Sequence, residues 1–231
     1  MEAITRTSSM HRLVTATVAV LLGVVVGQVT CQAPIPPRPP GFVYCAASGD
    51  CPVVLEAFVD LICPDSKAAW PVYKEVANYY GNVTLKFSAL LFPLPYHRAA
   101  MMAAQGTFIA DALNSATTFA WMDEVFSKQE ALYDTTIFNQ TQGYIVDTLS
   151  KWAAAVGYSQ TTFKEHLARS DPTQTLARTE FKYGGTRGVY GTPETFVNGI
   201  QVLSDPSWTL ADWRKIIDPL LAAKQYYRKQ P

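Results

Sequence analysis

The chain has 231 residues, 48% of them hydrophobic and 16% charged, with 19 acidic side chains against 19 basic ones. That is enough apolar material for one globular domain, with or without an insertion. Zero formal charge, with no long run of one sign, excludes the electrostatic footprint of a nucleic-acid binder, and no His, Cys, Asp and Glu set has metal-ligand spacing.

Arg6, His11 and Arg12 precede an unbroken apolar run from Leu13 to Gly27. A basic start, a short apolar run and small residues are the pattern of a secretory signal peptide, and the run is shorter than the ~20 residues of a membrane span. Residues 1–27 are therefore expected to be removed, with cleavage near Gly27 or a few residues later; a short retained anchor is the alternative. No other span follows, so no membrane partner is expected after cleavage. The ending "YYRKQP" has no retention signal of the Lys-Asp-Glu-Leu kind. The expected location is the secretory pathway, secreted or lumenal.

Residues 28–41 contain "QAPIPPRPPG", which reads as a stiff, extended spacer, with folded material from about Phe42. An oxidising route favours disulfides. Cys45 and Cys51 flank the turn-rich "AASGD" and are expected to form a local bridge; a metal or redox pair is the competing reading, without a further His or Cys cluster to support it. With Cys31 in or near the signal, Cys63 is left unpaired. Asn82-Val83-Thr84 and Asn139-Gln140-Thr141 are glycosylation triplets.

The run "PVVLEAFVDLI", 52–62, has the β-branched character of a buried strand. Pro64 at a first helical position, with Asp65 and Ser66 beside it, opens a helix through "KAAWPVYKEVANYY" that Gly81-Asn82 stops. "VTLKFSALLF", 83–92, is a second strand, so the three form a βαβ unit with parallel strands. Residues 96–185 are rich in Ala, Met and aromatics at helical spacing, and are expected to be a helical insertion whose apolar stripe is core. Glu194–Val197 and Ile200–Leu203 flank Asn198-Gly199, a strong hairpin signal, and a final helix runs from about Leu210 to Arg228.

Strand, helix, strand, helical insert, hairpin and helix is the order of a thioredoxin-like fold with a DsbA-like insertion, an α/β class. The residues agree. "FVDLICPDS" resembles the family's strand-to-active-site turn, Pro71 falls where its first helix is often kinked, "LFPLPYH" resembles the start of its insert, and "GVYGTPETFVNG" resembles its cis-proline loop and hairpin. The resemblance implies a thiol–disulfide site at Cys63, with Pro193 as the cis-proline. The strand directions would bring Cys63, the Pro93–His97 loop and Thr192-Pro193 to one sheet edge, where open α/β sheets bind ligands. Thr192, Pro64 and His97 are the expected substrate contacts.

A thiol at a helix start is favoured as thiolate by the unsatisfied N–H groups. The Ser66 hydroxyl could donate to that thiolate, whereas Asp65 would oppose it. The departure from the family pattern is Ser66 itself, which stands where a second cysteine would resolve a mixed disulfide. Cys51 precedes the central strand and Cys63 follows it, so about ten residues at ~3.3 Å each keep them ~30 Å apart. Monothiol exchange remains, with glutathione or another protein supplying the second thiol and no resident cofactor. His97 could face Cys63 and help deprotonate it, or serve only at a helix start; His11 and His166 are expected to be inert.

Two readings follow. One is a secretory-pathway monothiol oxidoreductase acting on protein or peptide clients that carry thiols or disulfides. The other is a non-catalytic binding module in which Cys63 is a small buried hydrophobe. A glutathione-transferase-like reading ranks third. Exposure of Cys63 separates the first two, because a reactive thiol must be at least partly open.

Overall fold

Strand β2 (Val53–Val59) lies at the centre of the sheet and is buried along almost its whole length. It pairs in parallel with β3 (Leu85–Leu91), from Val53 opposite Leu85 to Val59 opposite Leu91, and antiparallel with β4 (Glu194–Val197), Leu55 lying opposite Val197. β5 (Ile200–Val202) and the two-residue β1 (Phe42–Val43) complete the order β1-β3-β2-β4-β5. The chain, in this computed structural model, is described over residues 33–44, 51–168 and 171–228, with only the backbone at 168 and 224–228. From Pro34 onward it forms one unit. The expected signal peptide, Cys31 and Cys45 lie outside the described residues.

Seven α-helices occur among the described residues: α1 (Pro64–Tyr80), α2 (Ala100–Asn114), α3 (Thr118–Lys128), α4 (Gln142–Ala155), α5 (Gln160–Ala168), α6 (Pro172–Thr186) and α7 (Leu210–Arg228). The sheet's alternation decides which of them cover which face. Leu55, Ala57 and Val59 point into a large core with Trp70, Tyr73 and Val76 of α1 and Trp213 and Ile217 of α7, and that core continues into the insertion. Phe58, Leu90 and Phe196 point to the other face, where Phe181 and Tyr183 of α6 pack on them. Both faces are covered, which is why β2 is apolar at every position but Glu56, which pairs with Arg187.

Three local details position the functional edge. The apolar run expected as strand to residue 62 leaves the sheet at Val59, because Asp60 closes a turn: its Oδ1 accepts the Ile62 N–H at 2.8 Å and its carbonyl accepts the Cys63 N–H at 3.0 Å. Gly184 lets α6 approach that edge, since a Cβ there would lie 2.5 Å from the Phe92 ring. Asn198 and Gly199, at φ 48° and 81°, form the tight hairpin turn, and Asn198 Oδ1 accepts the Val54 N–H at 2.8 Å.

The end of the proline-rich segment is not a free spacer. Arg38 pairs with Asp111 at 3.1 Å and lies over the Phe42 ring, and the Gly41 N–H donates to Glu180 Oε2 at 2.8 Å. Packing therefore begins before Phe42. The Cys51 thiol lies 3.1 Å from the Asn82 carbonyl; its expected partner Cys45 lies outside the described residues. Asn82 and Asn139 are both exposed.

Candidate functional site

Cys63 occupies the N-cap position of α1, with Pro64 following in the first turn and no side-chain capping bond. Proline costs nothing there, because its missing N–H would have had no helical partner. The Cys63 Sγ is 3.3 Å from the Thr192 carbonyl, to which the thiol donates. Thr192–Pro193 is a cis peptide bond. The loop before it is held by Glu194, whose Oε1 accepts the Tyr190 and Gly191 N–H groups at 2.9 and 2.8 Å. The structure thus brings Cys63, Thr192 and Pro193 together at one sheet edge.

Cys63 is 5% exposed and belongs to a buried apolar cluster with Phe58, Leu90, Phe92, Leu94, Val189 and Phe196. Pro64 and Asp65 beside it are exposed. So are two aromatic side chains of the neighbouring loops, Tyr96 at 63% and Tyr190 at 82%. Cys63 is thus almost closed, beside exposed residues that are apolar or aromatic except for Asp65.

Ser66 does not meet the thiol as expected. It is fully buried, and its hydroxyl accepts the Asp60 N–H at 3.3 Å; no bond joins it to Cys63. His97 is bonded to Asp60 rather than to Cys63. Its Nδ1 lies 2.6 Å from Asp60 Oδ2, which also accepts the Leu94 N–H at 3.1 Å. The bond to Asp60 holds the His97 imidazolium above the ordinary histidine range, against the opposing effect of burial. Both side chains are held by Asp60: its buried carboxylate collects the His97 ring and the Ile62 and Leu94 N–H groups, while its own backbone N–H donates to Ser66.

Asp60 was not among the residues singled out from the sequence. A lone acidic side chain inside "FVDLIC" is the signal that could have found it, since a charge in a buried run needs partners. Thr192 holds a second anomaly: its hydroxyl oxygen is buried without a hydrogen-bond partner. His166 pairs with Asp171, the capping residue of α6, at 2.6 Å and is far in sequence from the thiol. Among the described residues no three His, Cys, Asp or Glu side chains gather as a metal site, and no helix is long and apolar enough to cross a membrane.

Comparison with known proteins agrees with this fold. The model of the DSBA-like thioredoxin domain matches residues 54–212. No curated protein matches the chain. Among solved structures, a thioredoxin-like oxidoreductase from Silicibacter pomeroyi DSS-3 is similar with a TM-score of 0.61 at 15% identity, over 80% of this chain and 94% of that one. The catalytic domain of ScsC from Proteus mirabilis is similar with a TM-score of 0.59 at 16% identity, over 79% and 89%. Oxidised BdbD from Bacillus subtilis is similar with a TM-score of 0.58 at 18% identity, over 76% and 91%. Identities this low carry the fold and nothing finer.

Proposed function

This chain belongs to the DSBA-like thioredoxin-domain family, and from that premise we propose that it performs thiol–disulfide exchange with a single thiol, Cys63. The observation that carries the reading is the 3.3 Å contact between the Cys63 thiol and the carbonyl of Thr192, at a helix start on the open edge of the sheet. A client strand laid along residues 190–193 would bring its own sulfur to Cys63, with Pro64 and Pro193 as walls and Tyr96 and Tyr190 as apolar rim.

The chemistry balances without a second cysteine in the chain. The Cys63 thiolate attacks a client disulfide R–S–S–R′, forming Cys63–S–S–R and expelling R′–S⁻, which takes a proton from water. A small thiol such as glutathione, as thiolate, then attacks the R sulfur, releasing Cys63 as thiolate and R–S–S–glutathione. The protein ends as it began, and no cofactor is held between cycles. Ser66 contributes through Asp60, keeping the turn shaped, rather than through a bond to sulfur.

The secretory route belongs to the same proposal: a signal-like start, clients with disulfides, and exposed Asn82 and Asn139 as glycosylation positions. A binding module on the same groove is the second reading, favoured by one observation, the 5% exposure of Cys63. Alkylation of the native protein separates the two, with Cys63→Ser as blank. Labelling of Cys63 at a rate within about tenfold of a free thiol of the same thiolate fraction supports exchange; labelling only after unfolding leaves the binding module.

A further inference from the structure

Gln129 closes α3 and opens the 3₁₀ turn Gln129–Leu132 of the helical insertion. It is fully buried, and its amide reaches across to the strand–helix turn that carries the thiol. Nε2 donates to the Leu61 carbonyl at 2.8 Å and to the Cys63 carbonyl at 3.3 Å. Oε1 accepts the Tyr133 hydroxyl at 2.6 Å. Both amide protons and the amide oxygen are used. The two carbonyls, which can only accept, decide which end of the amide faces them, and the Tyr133 hydroxyl holds the other end by donating to Oε1.

A second link joins the same two segments: Lys67, in the first turn of α1, pairs with Glu130 at 3.0 Å. Tyr133 is in electrostatic reach of the site, since burial, then Glu130 and then Cys63 push its phenol above the ordinary tyrosine value. Helix formation does not require the Gln129 contact, for the Cys63 carbonyl already accepts the Lys67 N–H at 3.1 Å. What Gln129 adds is direction. With Asp60 holding the turn from the sheet side and Gln129 from the insertion side, the backbone of residues 61–63 has one orientation, and the thiol has one approach to the N–H groups of α1.

We propose that Gln129, held by Tyr133, is a positioning residue for Cys63, so that the helical insertion sets the reactivity of the thiol. The inference rests on the exchange reading of Cys63. The charged and titratable groups around that thiol are Asp60 and His97 from the strand end and the following loop, Asp65 and Lys67 from α1, Glu130 and Tyr133 from the insertion, and Glu194 behind the Thr192 loop. Loss of Gln129 frees the Leu61 carbonyl to turn toward the sulfur, which disfavours thiolate.

The test is the pH profile of Cys63 alkylation in the intact protein, quantified on the Cys63 peptide by mass spectrometry, for wild type, Gln129→Leu, Tyr133→Phe and Phe163→Leu. Phe163→Leu loosens the insertion core without touching the turn, and serves as the match for stability alone. Gln129→Leu is expected to move the midpoint to higher pH by about half a unit, a threefold loss of thiolate below it. Tyr133→Phe is expected to shift it in the same direction by less, and Phe163→Leu not at all. If Gln129→Leu does not fold, Tyr133→Phe, which keeps the ring, decides alone. Wild-type profiles for Gln129→Leu and Tyr133→Phe, or an equal shift in Phe163→Leu, would overturn the proposal while leaving the exchange reading in place. A native wild type whose Cys63 never alkylates would remove the exchange reading itself, and this inference with it.

Discussion

His97 Nδ1 sits 2.6 Å from Asp60 Oδ2, and the Asp60 side chain is wholly shielded from water. This pair, one turn away from Cys63, locks the loop after β3 to the end of β2. A protonated His97 stabilises the fold, because its pKa is raised above 6.5 by the bond to Asp60. The contribution is fully present below the unfolded-state value and is lost as pH rises through the higher folded value. His97→Gln should therefore be less stable than wild type at pH 6, with a difference that shrinks as pH climbs; urea unfolding across that range measures it. A constant difference would mean that His97 is held neutral.

Ser66 is the position that separates this site from a dithiol one. Ser66→Cys places a second sulfur three residues after Cys63, in a fully buried position. Asp60 N–H would lose its hydroxyl acceptor, at a cost of about 1 kcal/mol. The variant should form a reversible bridge between Cys63 and the introduced thiol, and reduce insulin with a dithiol reductant, which wild type should not do. Thiol counting before and after oxidation reads the bridge directly, and a variant that keeps both thiols under oxidant contradicts the expectation.

Glu180 is buried in α6 and accepts the Gly41 and Leu91 N–H groups at 2.8 and 2.6 Å. Burial outweighs those two bonds and pushes its carboxyl up to about 7. A raised carboxyl pKa means that the folded state holds the proton longer than the unfolded one, so stability falls as pH rises from about 4.5 toward 7. The loss is on the order of 3 kcal/mol over that window. Glu180→Gln should be less stable at pH 5, having lost one of two good acceptors, but flatter between pH 5 and 7. Parallel curves for the two proteins would sink the assignment.

The buried, unpartnered hydroxyl of Thr192 makes a fourth case. Thr192→Val keeps the shape and removes the orphan group, so the melting temperature should stay level or rise, by an amount equivalent to about 1 kcal/mol at most. Client trapping should persist if clients use only the Thr192 backbone. Weaker trapping at unchanged stability would assign the hydroxyl to the client.

The order of elements was legible because each strand, helix and turn carries its own local pattern: the apolar run of β2, Pro64 at the start of α1, and Asn198-Gly199 in the hairpin. Cys63, Thr192 and Pro193 could be placed at one edge from strand directions alone. What local pattern could not supply was the set of partners. Ser66 and His97 both face Asp60, a residue whose needs appear only once burial is known. Gln129 and Glu180 are polar residues on helices, indistinguishable in the sequence from solvent-facing ones until the insertion folds back on the sheet. The two-residue β1 is too short to show a period, and the docking of Arg38 on Asp111 depends on a contact with the insertion that is remote in sequence.

The central claim is that Cys63 exchanges disulfides in the folded protein, and reversible modification by oxidised glutathione tests it most directly. The native protein, incubated with oxidised glutathione and mapped by mass spectrometry, should carry one glutathione on Cys63, absent from Cys63→Ser and removed by reduced thiol without unfolding. A native protein in which only Cys51 is modified, while Cys63 reacts solely after denaturation, would contradict the exchange reading and leave a thioredoxin-fold binding protein with a structural cysteine.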